Sequence, residues 1–108
     1  MILNPVYKEE LISIFCGIDE EFEIWAYGSR INGTSHEGSD LDLVLRTTDL
    51  SKLPMEKLSS IIEKIRESNI PILVELRDWA RIPEEFRHNI LQNYEVIFKS
   101  GSSVLHSS

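Results

Sequence analysis

The sequence predicts an α/β (α+β) domain in which helices pack on one face of a small mixed β-sheet. Three segments alternate apolar and polar residues with a period of two, as strands do. Apolar residues recur at helical spacing before the first segment and between the second and third. At 108 residues the chain has room for one hydrophobic core. We therefore expect a single domain over residues 1–108, with an ordered core at about 5–98 and a frayed tail at 100–108.

Composition narrows the class of protein. The hydrophobic fraction of 42% and the charged fraction of 27% are ordinary for a soluble globular domain. A formal net charge of -7 argues against nucleic acid as a direct ligand, since such binding surfaces are usually basic. No apolar run approaches the ~18 residues of a membrane span, and no basic segment opens a signal peptide. The single cysteine, Cys16, suits the cytosol, so a cytoplasmic location is expected.

The first helix is predicted to begin at Pro5, because Asn4 is a good N-cap and proline favours the first helical position. Gly17 is expected to end it. Its buried stripe consists of Tyr7, Leu11, Ile14, Phe15 and Ile18.

The three alternating segments define two faces of a sheet. The apolar face, expected to lie under the helices, carries Phe22, Ile24, Ala26, Leu41, Leu43, Leu45, Ile72, Val74 and Leu76. The opposite face, expected to be open, carries Glu23, Trp25, Tyr27, Asp40, Asp42, Val44, Leu73, Glu75 and Arg77. The acids Asp40, Asp42 and Glu75 are thus predicted to share the open face.

The second half of the chain adds two helices and a strand. A helix beginning at 54–56 and ending before Pro71 has the stripe Met55, Leu58, Ile61, Ile62 and Ile65. It connects the second and third strands, which are therefore either parallel or separated within a mixed sheet. A helix over 83–93, with Phe86, Ile90 and Leu91 inward, precedes a short edge strand at 94–98. Trp79 and Phe86 are expected in the core.

Two aspartates one residue apart, Asp40 and Asp42, suggest a metal site. They lie about 6.6 Å apart along one strand face. Carboxylates converging to ~5 Å would repel by about 3 kcal/mol at an effective dielectric near 20. A divalent cation reverses that repulsion, and Mg²⁺ favours carboxylates together with phosphate oxygens. Glu75 on a neighbouring strand could complete a three-carboxylate site for two metals. The alternative is that Asp-Leu-Asp is a solvated strand face.

The Gly28-Ser29 pair directly follows the first strand and favours phosphate binding. Free backbone N–H groups and a hydroxyl at a helix N-terminus bind phosphate, and glycine allows close backbone approach. An ordinary turn is the alternative. The lysine of a P-loop and the GxGxxG of a dinucleotide fold are both absent from the sequence.

Together, Gly28-Ser29, ten intervening residues and Asp40-Leu-Asp42 resemble the GSX10DXD signature of the minimal nucleotidyltransferase (MNT) family, within the DNA polymerase β-like superfamily. The resemblance extends over roughly residues 5–98, through Ile24–Arg30, Val74–Trp79 and Glu84–Arg87. It implies the nucleotidyltransferase fold. The family usually has aspartate in place of Glu75. Glutamate keeps the charge but adds a methylene, so a ligand there needs a shifted strand or another rotamer.

The resemblance implies transfer of AMP from ATP. Gly28 and Ser29 would hold the β,γ-phosphates, and Asp40 and Asp42 would bind Mg²⁺, with two ions when nucleotide is bound. Glu75 would be the third carboxylate. Arg30 and Ser39 are further candidate nucleotide contacts, with a solvated turn residue and a turn cap as their alternatives. Arg77 is expected to pair with Glu75 or to meet a triphosphate.

Family members of this size are typically paired with a small helical HEPN-type protein in toxin–antitoxin systems, in some cases adenylylating a tyrosine. The resemblance therefore implies an antitoxin-like role with a protein partner. The face bearing Trp25 and Tyr27 could meet that partner, although packing into a core or interface is the simpler fate for these aromatics. A catalytically weak module that neutralises its partner by occlusion is the alternative function. The sequence leaves homodimer formation open.

Overall fold

The structure, a computed structural model, describes residues 3–28 and 40–100. The described residues form three α-helices, a short 3₁₀ helix and four strands. In chain order these are α1 (Pro5–Cys16), β1 (Phe22–Tyr27), β2 (Leu41–Thr47), α2 (Met55–Arg66), β3 (Val74–Asp78), the 3₁₀ helix Trp79–Arg81, α3 (Glu84–Gln92) and β4 (Tyr94–Lys99).

The four strands form one mixed sheet in the order β3-β2-β1-β4. β1 runs antiparallel to both β2 and β4, whereas β2 and β3 are parallel. α2 is therefore a crossover between two neighbouring parallel strands. Of the two arrangements that the sequence left open, β2 and β3 are parallel and adjacent rather than separated within the sheet. The predicted mixed sheet and the predicted edge strand β4 are both confirmed.

The first face of the sheet carries the main core, as predicted. The inward residues of β1 and β2 are fully buried under α1 and α2. Asn4 caps α1 by accepting a hydrogen bond from the Val6 N–H at 2.9 Å, and Pro5 is the first helical residue. The core cluster consists of Leu11, Phe15, Phe22, Ile24, Ala26, Leu41, Leu43, Leu45, Leu53, Leu58, Ile61, Ile65, Leu76 and Ile97.

The second face of the sheet is less open than expected. Trp25, Tyr27 and Val44 form a second buried cluster with Trp79 of the 3₁₀ helix and Ile90 of α3. Trp25 and Tyr27 are only 5% and 8% exposed. The expectation that they present an exposed face to a partner is therefore wrong. Aromatic side chains bury a large apolar area, and the helices after β3 fold back over this face to cover it.

Three details of the sequence prediction are corrected. Leu91 is 49% exposed, because Ile90 is the inward residue in that turn of α3 and the next residue along a helix points in a different direction. Met55 is 58% exposed, since it is the first residue of α2 and precedes the part that reaches the core. The third strand begins at Val74 and not at Ile72.

Within residues 3–28 and 40–100, no helix is both long enough and apolar enough to cross a bilayer.

Candidate active site

Gly28 lies at the end of β1, directly beside Asp42 of β2. The register pairs Tyr27 with Asp42, so the backbone of residue 28 emerges next to that carboxylate. Gly28 has a φ of +91°, which side-chain-bearing residues rarely adopt. A Cβ at this position would lie 2.9 Å from the Asp42 Oδ2. Glycine therefore provides both the turn and the space in which the carboxylate sits.

Asp42 and Glu75 are direct neighbours across the parallel pair β2–β3. Asp40 is exposed and lies one residue before β2. Burial, followed by the negative charge of Glu75, raises the pKa of Asp42; Arg77 opposes this rise and Asp40 adds to it. The three acids predicted from the sequence therefore influence one another electrostatically. A raised carboxyl pKa of this kind is typical of sites that receive a cation or a proton.

Glu75 already has a cationic partner in the structure. The Arg77 Nη2 donates to the Glu75 Oε1 at 3.2 Å, and both side chains are nearly half exposed. Of the two roles expected for Arg77, the pair with Glu75 is therefore the one that forms here. The guanidinium carbon of Arg77 also lies 5.5 Å from the centre of the Phe86 ring, which helps to hold it over the second face.

The Tyr27 hydroxyl lies near the same charges. Its oxygen is buried and has no hydrogen-bond partner among the described residues. Burial raises the pKa of Tyr27; the Arg77 side chain lowers it, both by its approach to the hydroxyl and by its charge, while Asp42 and Glu75 add to the rise. Arg77 thus already lies close to this hydroxyl, without a hydrogen bond of good geometry to it. The Tyr27 ring meets Phe86 edge-on at 5.8 Å between ring centres, so Tyr27 and Arg77 share that ring as a neighbour. A buried hydroxyl without a partner is unusual and indicates a function for the group.

The carboxylates suit a divalent cation in chemistry, since Mg²⁺ takes hard oxygen ligands. Burial first, and then the charge of Glu75, raises the pKa of Asp42, and a bound cation would favour the ionised form against both effects. In residues 3–28 and 40–100, however, no three acidic, histidine or cysteine side chains are grouped closely enough to hold a metal ion. Glu75 would have to leave Arg77 to join Asp42. The donor set thus fits Mg²⁺, whereas the resting side-chain arrangement is not yet a closed site.

Several predicted contacts lie outside the described residues. Ser29, Arg30 and Ser39 fall within residues 29–39, and the predicted tail falls largely within residues 101–108. Their proposed roles remain predictions from the sequence. Of the candidate site residues, the structure therefore places Gly28, Asp40, Asp42 and Glu75. Asp42 and Glu75 lie in one row with Tyr27 across three strands, and Gly28, the residue after Tyr27, lies beside the Asp42 carboxylate.

Two residues with clear structural roles were missed by sequence reasoning. Arg46 of β2 lies between two indoles, with its guanidinium carbon 5.0 Å from the Trp25 ring and 5.2 Å from the Trp79 ring. Asp78 is buried and accepts hydrogen bonds from the Leu53 N–H at 2.9 Å and from the Arg81 Nε at 3.1 Å. Strand alternation places Arg46 on the second face, but no sequence signal connects Asp78 with Leu53, which is 25 residues away.

A groove of about 1180 Å³ lies at the opposite end of the sheet, lined by residues such as Glu21, Thr47 and Ser100. Phe22 pairs with Thr47 at that end, whereas Tyr27 pairs with Asp42 at the carboxylate end. The groove therefore does not coincide with the candidate active site, which the charged groups around Asp42 mark at the other end of the sheet.

Comparisons with known proteins bear on the family and the fold. The family model for "Polymerase beta, Nucleotidyltransferase" matches residues 9–102. A Haemophilus influenzae protein named "Probable protein adenylyltransferase MntA" is 36% identical over 86 residues, covering 78% of this chain and 72% of the relative.

Solved structures show the same fold. A toxin–antitoxin crystal structure with AMP-PNP superposes with a TM-score of 0.68 at 18% identity, covering 89% of this chain and 76% of that one. A Shewanella oneidensis complex of tri-AMPylated HEPN toxin with MNT antitoxin gives 0.65 at 14% identity, covering 91% and 74%. The family match spans the glycine turn and both acidic strands, so the chain belongs to the polymerase β nucleotidyltransferase family.

Proposed function

We propose that this protein is a Mg²⁺-dependent adenylyltransferase that transfers AMP from ATP to a hydroxyl group of a partner protein. The observation that carries the proposal is that the glycine turn at Gly28 lies beside Asp42, which is in turn the direct neighbour of Glu75 across the parallel pair β2–β3. The raised pKa of Asp42, caused first by burial and then by the charge of Glu75, supports it, because a partly buried carboxylate beside a second carboxylate gains from binding a cation.

The roles of the residues follow from their chemistry. The backbone N–H groups at Gly28 and Ser29 would bind the β,γ-phosphates, with Arg30 and Ser39 as additional nucleotide contacts. Asp40 and Asp42 would hold Mg²⁺, and Glu75 would be the third carboxylate when two ions are present. Bound Mg²⁺ would neutralise phosphate charge and favour ionisation of the acceptor hydroxyl.

The reaction itself would be an in-line displacement. The acceptor oxygen would attack the α-phosphorus, the bond to the β-phosphate oxygen would break, and pyrophosphate would leave. The contribution of the protein would be mainly to position the reactants and to stabilise charge.

We further propose that the chain acts as one domain and as the antitoxin-like subunit of a HEPN/MNT pair. The relative from Haemophilus influenzae is named as an adenylyltransferase, and the Shewanella oneidensis complex contains an AMPylated HEPN toxin with its MNT antitoxin. The acceptor hydroxyl would be on the partner, as the AMPylated toxin of the Shewanella oneidensis complex suggests.

The ion pair of Glu75 with Arg77 favours a second candidate function, a binding module that neutralises its partner by occlusion. In the described arrangement Glu75 faces a guanidinium rather than completing a set of three carboxylates. If this arrangement persists with nucleotide, the chain would bind its partner without modifying it.

One experiment separates the two functions. The purified chain is incubated with α-labelled ATP, Mg²⁺ and the helical HEPN-type partner encoded beside it. We expect label on the partner from the wild type and none from Asp40→Asn/Asp42→Asn. The control, Asp19→Asn/Glu21→Gln, removes two exposed charges at the other end of the sheet and should transfer normally.

Complex formation without label would establish the occlusion function. Equal labelling by the wild type and the Asp40→Asn/Asp42→Asn variant would show that the site lies elsewhere.

A further inference from the structure

The Tyr27 hydroxyl poses a question that the proposed reaction does not answer. Tyr27 is more than nine-tenths buried, and its oxygen has no hydrogen-bond partner among the described residues. A buried hydroxyl without a partner loses its hydrogen bonds to water and gains none in return. Arg77 approaches the hydroxyl at rest but does not form a hydrogen bond of good geometry with it, so the hydroxyl lacks full satisfaction in the resting fold.

Arg77 is the donor best placed to reach this hydroxyl. Tyr27, Asp42 and Glu75 lie in one row across β1, β2 and β3, and Arg77 follows Glu75 by two residues on the same face. Arg77 and Tyr27 both contact the Phe86 ring, at 5.5 Å and 5.8 Å. In the resting structure the guanidinium donates to Glu75 instead, at 3.2 Å.

We propose that Tyr27 is the second hydrogen-bond partner of Arg77, which moves from Glu75 to the Tyr27 hydroxyl when Glu75 turns toward a cation beside Asp42. Tyr27 is thus a positioning residue that acts on Glu75 through Arg77. The inference rests on the cation site of the proposed function. It extends that function in two respects. Arg77 keeps Glu75 from the cation site at rest, and the Tyr27 hydroxyl accepts a hydrogen bond from Arg77 once Glu75 has turned to the cation.

The energetics favour a switch of this kind. An exposed ion pair such as Arg77–Glu75 contributes little to stability, so Glu75 is released at small cost. A hydrogen bond from a charged donor to a buried acceptor contributes more, because it also satisfies the acceptor. Phe86 keeps the guanidinium near both partners, which limits the movement required.

The test is the affinity of the metal-free protein for Mn²⁺ alone, measured by EPR titration of free Mn²⁺. Tyr27→Phe removes the hydroxyl and keeps the ring, and we expect it to weaken Mn²⁺ binding by roughly three- to tenfold, the net effect of about one hydrogen bond once the lost Arg77–Glu75 pair is set against it. Its thermal midpoint without metal should be unchanged or higher, because the hydroxyl has no partner at rest. The matched control is Tyr94→Phe, at a partly exposed ring on β4 that stacks on Trp25, and it should leave the affinity unchanged.

A second variant tests whether the effect passes through Arg77. In an Arg77→Met background, Tyr27→Phe should no longer alter the affinity for Mn²⁺. In the wild type, the ¹³Cζ resonance of Tyr27 should shift on saturation with diamagnetic Mg²⁺, which reports the new hydrogen bond without any substitution.

Equal Mn²⁺ affinities of the wild type and Tyr27→Phe would overturn the inference. The same loss in the Arg77→Met background would also overturn it, as would a wild type that binds no Mn²⁺. Failure of the proposed function gives a different result from failure of this inference. If only the proposed function fails, no label is transferred to the partner, but Mn²⁺ binding is still weakened by Tyr27→Phe.

Discussion

Replacement of Gly28 by alanine tests the geometry of the site most directly. Two effects oppose the new methyl group. Gly28 has a φ of +91°, and a left-handed conformation costs a residue with a Cβ about 1–2 kcal/mol. The Cβ would also lie 2.9 Å from the Asp42 Oδ2, so the carboxylate must rotate away.

We therefore expect Gly28→Ala to lower the free energy of unfolding by about 1–2 kcal/mol. For a domain of this size this corresponds to a fall in the thermal midpoint of about 4–16 °C. The same variant should lose Mn²⁺ affinity, because the displaced Asp42 carboxylate no longer lies beside Glu75. Thermal unfolding followed by circular dichroism and an EPR titration of Mn²⁺ measure the two effects.

Gly17→Ala is the matched control. Gly17 has a φ of −83°, and a Cβ there would meet only the Ile14 carbonyl oxygen at 3.6 Å, an ordinary contact. This substitution should be neutral or stabilise by up to about 1 kcal/mol, since alanine restricts the unfolded chain. If Gly28→Ala is as stable as Gly17→Ala and binds Mn²⁺ as tightly as the wild type, the inferred contact with Asp42 does not exist.

Two further substitutions test the charges on either side of the sheet. Burial and the charge of Glu75 raise the pKa of Asp42, so the folded state binds this proton more tightly than the unfolded state. The contribution of Asp42 to stability therefore falls as pH rises above about 4. Asp42→Asn should therefore be more stable than the wild type at pH 7 by up to about 1 kcal/mol, and the difference should vanish below about pH 4 in urea titrations. Asp78→Ala should lose about 3 kcal/mol by urea unfolding, because donors of Leu53, Ala80 and Arg81 lose their acceptor.

Asp19→Asn, at an exposed position, is the control for both substitutions and should change stability little at either pH. A difference between Asp42→Asn and the wild type that is constant with pH would contradict the account of Asp42. An Asp78→Ala variant as stable as Asp19→Asn would contradict the account of Asp78.

Much of the fold could be predicted because it depends on local periodicity. The alternation in β1 and β2 assigns Ile24 and Leu43 to the main core and Asp42 to the opposite face, and the structure agrees. The start of α1 was also predictable, because an N-cap bond joins residues only two apart. Such features require no knowledge of which segments meet.

The errors arose where distant segments meet. Alternation assigned Trp25 and Tyr27 to the second face and left two fates open, packing or contact with a partner. It could not show that the 3₁₀ helix and α3 fold back over them, and the structure confirms packing. Sequence reasoning gave Asp78 no role. Its role depends on Leu53, whose backbone comes near only after α2 has crossed over the sheet.

By itself the sequence determined the elements of the site: a glycine turn after one strand and acids at the spacing of one strand face. These follow from local backbone geometry, so they can be read without the fold. Only the tertiary structure decided which groups lie together, because strand order and register are set by contacts between distant segments. The fold places Gly28 beside the Asp42 carboxylate and makes Asp42 the direct neighbour of Glu75. It also pairs Glu75 with Arg77 and buries the Tyr27 hydroxyl without a hydrogen-bond partner among the described residues.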